Sequence, residues 1–460
     1  MKKIFYYGRN TKQACRSYKP EAVKKAAKER KRGKLKVKEV YVVEGARTAV
    51  ARAGKQSWFT SVRSEELSAI VFKELRKRIG LEDKAKQGII DDVVWATTAN
   101  AFMEQGLNIG RLAWILSDGS YDVPGCTVDR FCASGLNSIV FAATTMMVGW
   151  GGDVEIAGGV QHMSHIPMGA GASLHPDLGN YMNLNAINMG YTAEMVARRY
   201  NISREVQDQF SMESHLKCAA AQEAKKANKR IATVKTWVPA KAAKGKQGEG
   251  VDYVASEHLA KEAKEKGEEM AEWIVGYDQG VRPETTMDSL AAMKPVFMQD
   301  EAATVTAGNA SQINDAAAGV VLATAEGAKA LGKKPIMKLA GWAVIGLDPD
   351  VMGIGPALAI PKVLKRAGLT QDQIGLWEIN EAFASQSVYC RDTLGLPKDR
   401  VNVWGSGISI GHPLACTGAR IACDITTMFE DPDFSDVDYI VESMCIGHGH
   451  GAAAIWQRVK

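Results

Sequence analysis

The chain has no apolar run long enough to cross a bilayer. Its longest largely apolar stretch, Leu136 to Trp150, is short and dotted with threonine, which suits a buried helix and predicts no membrane span. Paired cysteines are missing too. The 8 cysteines (positions 15, 126, 132, 218, 390, 416, 423 and 445) show no close repeat spacing, and the N-terminal region lacks the apolar core of a secretory signal. Reduced thiols and a cytoplasmic location are therefore expected. No glycine loop runs into Lys-Ser/Thr, and stretches such as Gly353-Ile-Gly355 make no dinucleotide fingerprint after a strand, so no redox or nucleotide cofactor is expected. Cys445, His448 and His450 lie close together, but their spacing is not that of a common zinc site and no fourth ligand is evident. No metal is expected.

What is present is the composition of an ordinary globular protein: 460 residues, 46% hydrophobic and 24% charged. That length predicts two or three domains and an interior able to hold a closed site. The formal charge of +5 is a property of one end. Residues 1–38 carry 15 Lys/Arg against 2 acidic residues, which leaves 42 basic and 50 acidic residues in the remainder. The body therefore offers no reason to expect nucleic acid, and residues 1–37 are set apart as a basic N-terminal extension.

Val37 to Ala46 has the β-branched content of a buried strand, and Ser64 to Ile79 the apolar spacing of a helix. Strands are predicted at 91–95, 122–130 and 154–159, with helices at 108–116 and from about Leu136 to Val148. Between Gln161 and Pro283 the texture changes to loop, with helices at 191–200 and 203–226 and a charged, solvated helical excursion over 240–270. Alternation resumes at Thr304. It predicts strands at 336–344, 376–379 and 402–404, helices at 355–367, 381–394 and 417–429, and closing strands at 437–444 and 452–458. Such alternation implies α/β layers with helix-covered sheets. Each half places a cysteine just past a strand, Cys132 and Cys445, and the order of elements permits an internal duplication.

Four segments carry chemistry. Cys132 lies in a strand-to-helix turn followed by Ala133, Ser134 and Gly135, where free N–H groups and the helix dipole would lower a thiol pKa and receive an oxyanion. His412 sits between Gly411 and Pro413, held in place and suited to activate a thiol. Cys445, ahead of Gly447, Gly449 and Gly451, can act as an acid–base group. Asn380, in Asn-Glu-Ala-Phe-Ala, is on its own no more than a candidate helix cap. Two thiols, an imidazole and an amide fit carbon–carbon bond cleavage or formation on a thioester.

In this order and at these distances the segments resemble those of the thiolases, the acetyl-CoA acyltransferases. So do 188–194, 282–286, 290–297, 304–315 and 347–356, and the resemblance runs from about Lys38 to the C-terminus. It implies a thiolase-like fold: two similar layered halves in an αβαβα sandwich. The N-terminal half would span 38–160 and 284–327, an inserted loop domain 161–283, and the C-terminal half 328–460. It further implies that Cys132 becomes acylated, that His412 activates it, and that Asn380 holds a water in the same oxyanion hole as His412. Cys445 would move the α-proton of acetyl-CoA. The N–H groups of Cys132 and Gly447 would form a second oxyanion hole, and Ser311, Met352 and Phe383 would line the pantetheine tunnel. The implied substrates are acyl-CoA and coenzyme A, with no cofactor, in a homodimer or homotetramer that can include an additional partner subunit.

The chain departs from the family pattern at Asp129, Gln161-His162, Gln312, Trp404, Ser406 and His448. Trp404 and the extra histidines are expected to reshape the acyl pocket. Two rivals stay open at this stage: a decarboxylating ketoacyl synthase, and a non-catalytic acyl-CoA carrier or scaffold subunit.

Overall fold

The computed structural model describes residues 37–98 and 103–460, so the basic extension, Val37 excepted, falls outside the described residues. The strands are β1 (Tyr41–Arg47), β2 (Ala51–Arg52), β3 (Asp92–Ala96), β4 (Cys126–Val128), β5 (Val154–His162), β6 (Val234–Pro239), β7 (Tyr253–Val254), β8 (Met270–Val275), β9 (Asn314–Ala323), β10 (Met337–Gly346), β11 (Leu376–Ile379), β12 (Tyr439–Ile446) and β13 (His450–Arg458). The helices are α1 (Ser64–Arg78), α2 (Ile109–Leu116), α3 (Ser134–Met147), α4 (Met189–Arg199), α5 (Arg204–Glu223), α6 (His258–Glu265), α7 (Met287–Ala291), α8 (Ala325–Ala330), α9 (Gly355–Ala367), α10 (Ala384–Thr393) and α11 (Thr417–Glu430).

The main sheet runs β11-β12-β13-β10-β1-β9-β5-β3-β4. Its middle is a narrow seam, since β1 and β10 pair only through Tyr41–Lys338 and Val42–Met337. On either side of that seam the same pattern repeats. In one half β4, β3 and β5 are parallel, and β9 and β1 follow antiparallel. In the other, β11 and β12 are parallel, and β13 and β10 follow antiparallel. A lone parallel bridge from Val401 to Trp377 stands where β4 stands in the first half. The chain is therefore one α/β unit used twice, with residues 163–313 between β5 and β9 where the second half has a three-residue turn between β12 and β13.

This correspondence corrects one expectation. Cys132, between β4 and α3, matches the Leu414–Cys416 turn before α11, while Cys445 at the end of β12 matches Gln161 at the end of β5. The two cysteines are not counterparts; strand direction and order, which no single sequence displays, decide the matter.

Helices α3 and α11 form the middle layer. Every residue of α11 from Thr417 to Phe429 is buried, as expected of a helix covered on all sides, and both helices touch strands of both halves. They approach closely because glycine stands at the crossing: a Cβ on Gly135 would lie 2.6 Å from the Ala415 carbonyl, and one on Gly418 would lie 2.5 Å from the Leu136 nitrogen. This crossing sets the two helix N-termini, and the loops carrying Cys132 and His412, side by side.

Other expectations shift. The strand predicted at 122–130 shortens to Cys126–Val128, since Pro124 and Gly125 hold the preceding residues in a turn. Residues 402–404 form no strand. The charged excursion contains one short α-helix, α6, and a 3₁₀ turn at Ala240–Ala242; strands β6, β7 and β8 make a separate three-stranded sheet around them. Alternation in Val-Lys-Thr-Trp-Val turns Val234, Thr236 and Val238 inward, and Trp273 of β8 packs on Trp58 with ring centres 5.7 Å apart. Fully buried ion pairs of Arg47 with Asp278 at 2.8 Å and with Asp424 at 3.4 Å tie the segment that follows β8 to the body.

Candidate active site

After β4 the chain makes a tight turn. The carboxylate of Asp129 accepts the Phe131 N–H at 2.8 Å, and Ser134 Oγ accepts the Arg130 N–H at 2.6 Å. The turn drives Phe131 to a φ of 47° and delivers Cys132 to the helix entrance, 6% exposed. Burial pushes the Cys132 thiol up to about 11; the N–H groups of Gly447 and of Cys132 itself, both facing the sulfur, pull the other way and lose. The lowered thiol pKa expected at a helix N-terminus is thus corrected: desolvation outweighs the dipole.

His412 is held at three points. Its N–H donates to Asn314 Oδ1 at 2.8 Å and to the Gln312 carbonyl at 3.2 Å, and its Nδ1 lies 2.7 Å from Thr417 Oγ1. Gln312 in turn bridges the Gly280 and Ile408 carbonyls, which anchors this loop to the segment that follows β8. Burial, followed by the nearby Arg420 charge, lowers the imidazole to about 3, so it is neutral at physiological pH.

Asn380 leaves β11 with its N–H on the Ser443 carbonyl at 2.9 Å. Its amide nitrogen stands 3.4 and 3.5 Å from the two ring nitrogens of His412, and its Oδ1 is buried with no hydrogen-bond partner among the described residues. Cys445 is fully buried; burial first, then the charges of Cys132 and Cys390, hold its thiol well above the ordinary range. The Cys132 turn packs on both β12 and the Leu414–Cys416 turn, so the four residues meet at one end of the middle layer.

The expected lining residues join them. Met352, Phe383 and Cys445 pack in one apolar cluster with Ala193, Val305 and Ala310, flanked by Met189. Ser311 is half-buried beside them, its N–H on the Ala382 carbonyl at 2.9 Å. Trp404 is elsewhere. It packs on Phe434, centroids 6.0 Å apart, within the shared core, so its expected effect on the acyl pocket is withdrawn: side-chain direction, not sequence proximity to His412, decides what it touches. His448 does reach the site, with its ring edge-to-face on Phe131 at 4.7 Å.

His162 leads to a different cluster. It stacks on His165 with centroids 3.9 Å apart; the Nε2 atoms meet the Phe59 and Thr60 carbonyls at 3.1 and 2.8 Å, and His165 Nδ1 pairs with Glu104 at 3.1 Å. Glu104, His162 and His165 could group around an ion by proximity alone. Stacked rings, however, aim their lone pairs side by side instead of at one point, and each member already has a partner: His165 Nδ1 pairs with Glu104, and His162 Nδ1 accepts the His165 backbone N–H at 3.3 Å.

Residues that sequence reasoning did not single out are Asn314, Thr417 and Met189. Asn314 and Met189 lie inside segments noted for their family likeness, but nothing local marks their contacts; Thr417 carries no signal at all.

A repeated α/β unit that brings two buried thiols, a neutral imidazole and a carboxamide together at one end of its middle layer defines an acyl-transfer enzyme of the carbon–carbon bond-forming or bond-cleaving kind. The family models agree with the geometry: the thiolase N-terminal domain matches residues 40–326 and the thiolase C-terminal domain residues 333–458. The chain belongs to the thiolase family. It is 40% identical over 424 residues to a 3-ketoacyl-CoA thiolase of Bacillus subtilis, covering 92% of this chain and 100% of that one. It is 38% identical over 426 residues to one of Pectobacterium carotovorum, with 92% and 100% covered. Among solved structures, the dimeric peroxisomal thiolase of Saccharomyces cerevisiae superposes with a TM-score of 0.75 at 31% identity, covering 92% of this chain and 98% of that one. An acetyl-CoA acetyltransferase of Bacillus anthracis superposes with 0.73 at 29% identity, covering 93% and 100%.

Proposed function

We propose that this chain is a 3-ketoacyl-CoA thiolase, cleaving a 3-ketoacyl-CoA with coenzyme A to an acyl-CoA and acetyl-CoA, or running the reverse Claisen condensation. The observation that carries this reading is the facing of the Cys132 sulfur by the Gly447 N–H, with a second buried thiol, Cys445, close enough to feel its charge. A hydrolase needs one nucleophile; a carbon–carbon bond needs a second proton-transfer group.

With the Nδ1 proton donated to Thr417 Oγ1, His412 keeps a lone pair on Nε2 to take the Cys132 proton. The thiolate adds to the C3 carbonyl of the substrate, and the resulting oxyanion takes the N–H groups of Cys132 and Gly447. The C2–C3 bond then breaks. The acyl group stays on sulfur, and the bonding electron pair moves to C2 as an enolate of acetyl-CoA. His412 and a water held by Asn380 stabilise the enolate oxygen, and the Cys445 thiol protonates C2. The coenzyme A thiol gives a proton to the Cys445 thiolate, attacks the acyl-Cys132 thioester and releases the product, while His412 returns its proton to Cys132. Loss of one oxyanion donor costs about 10²–10³ in rate.

Met352, Phe383 and Ser311 are assigned to the pantetheine passage. Coenzyme A and its thioesters are substrates, and no separate cofactor enters. A homodimer is assigned on two supports: the yeast neighbour is dimeric, and β4 is an open sheet edge, with Leu107 and Tyr121 exposed nearby in sequence. No described helix is long and apolar enough to cross a membrane. The free cysteines support a cytoplasmic setting.

The test is intact-mass measurement after mixing with a 3-ketoacyl-CoA and no free coenzyme A. An acyl adduct mapped to Cys132, with acetyl-CoA released, is expected. Absence of the adduct refutes the assignment, and CO₂ release from a malonyl donor would favour a ketoacyl synthase.

A further inference from the structure

Two ring-bearing residues near the proposed nucleophile hold left-handed backbone, a conformation disfavoured for any residue with a Cβ: Phe131 at φ 47° and His448 at φ 64°. Phe131 immediately precedes Cys132, and His448 immediately follows Gly447. Each is fastened locally. Asp129 Oδ1 accepts the Phe131 N–H at 2.8 Å. In the β12–β13 turn, His450 Nδ1 lies 3.1 Å from the Gly447 carbonyl, and the Gly449 carbonyl accepts the Leu347 N–H at 2.8 Å. The two rings then meet edge to face, 4.7 Å apart at 75°.

Consequently the contact between the Gly447 N–H and the Cys132 sulfur is bracketed by a second, outer contact between the same two loops. Gly447 is itself packed against this contact: a Cβ there would stand 3.9 Å from Phe131 Cγ and 3.5 Å from Met189 Sδ, ordinary van der Waals distances. A glycine at 448 would relax the turn, so the histidine keeps an unfavourable backbone in a place where its ring has one evident ring partner. Strain kept next to reacting groups is a sign of use.

We propose that Phe131 and His448 form a clasp that positions the Gly447 N–H against the acyl oxygen and sulfur held at Cys132. Both are positioning residues, since they act through Gly447 and Cys132. The inference rests on the thiolase reading for its effect on turnover but carries a readout that does not need it. His448→Gly removes the ring and relieves the backbone, so the thermal midpoint stays level or rises, while kcat for thiolysis falls roughly 10-fold with KM for coenzyme A within about 2-fold. Phe131→Leu gives a similar fall, and the double variant is no slower than the worse single one, as expected of one shared contact. His448→Tyr, which keeps a ring, retains most of the turnover.

Independently of turnover, the pH at which iodoacetamide half-maximally alkylates Cys132 moves upward in His448→Gly, because the N–H that stabilises the thiolate is loosened. If kcat or the alkylation profile of His448→Gly matches that of the unaltered protein, or the two single losses multiply, the clasp is refuted. An unaltered protein that alkylates at Cys132 yet never takes an acyl group refutes the thiolase reading instead, and the alkylation shift still decides on the clasp.

Discussion

The resting state of Cys132 is the sharpest quantity to test. Burial lifts its thiol to about 11 and lowers His412 to about 3, so between those values the pair rests as neutral thiol and neutral imidazole. At pH 8 the free thiolate is then about one part in 10³, a deficit of about 4 kcal/mol if ionisation had to precede attack. A general base removes that deficit by taking the proton as the bond forms, an effect of about 10²–10⁴ in rate. Two pH profiles follow, and they differ. Alkylation of Cys132 by iodoacetamide, followed by peptide mass, reports free thiolate; it should rise about tenfold per pH unit and level only near 11. Acylation by substrate, followed by single-turnover mass measurement, should be nearly flat from about pH 5 to 9, falling only when His412 protonates. In His412→Ala the flat region should vanish and acylation should track the alkylation curve. Alkylation that levels at or below pH 8 would refute the reasoning, since the helix dipole and N–H groups would then outweigh burial.

Cys445→Ala should still take an acyl group on Cys132 but lose exchange of the acetyl-CoA α-protons into D₂O; exchange at the normal rate removes its proposed role. Glu378, fully buried, has its carboxyl raised to about 8, chiefly by burial. The native state therefore keeps a proton that the unfolded chain sheds above its ordinary value of 4.5, and stability falls as pH rises through that window. Glu378→Gln should flatten the fall, with a gain of up to about 3 kcal/mol at pH 7, read from urea unfolding at pH 5 and 8. Gly135→Ala places a Cβ 2.6 Å from the Ala415 carbonyl and should cost about 1–3 kcal/mol by forcing α3 and α11 apart, together with a marked loss of activity. A full-activity, full-stability Gly135→Ala would show that the middle layer tolerates the separation.

Much of the fold was legible because periodicity and punctuation are local. Helices at 64–79, 355–367 and 417–429 and the strand at 376–379 lie within about a residue of their structural counterparts. The central strand β9 went unassigned because Asn314–Ala323 is rich in alanine and glycine, poor strand formers that suit a crowded, fully covered position. The charge over residues 240–270 reads as a solvated helix, but alternation in the flanking strands, which buries Val234 and Val238 of β6 and Trp273 and Val275 of β8, builds a sheet.

The site divides in the same way. Cys132, Asn380, His412 and Cys445 stand out in the chain because each is a reactive or amide side chain set among small residues, and their order is the mark of a family. Sequence alone therefore decided the residue chemistry and the α/β alternation, both properties of short stretches. It did not decide the ionisation of the thiol, the pairing of Thr417 and Asn314 with His412, the removal of Trp404 into the core, or the meeting of Phe131 with His448. Those depend on desolvation and on side-chain direction across hundreds of residues, quantities that exist only once the two halves have packed around α3 and α11.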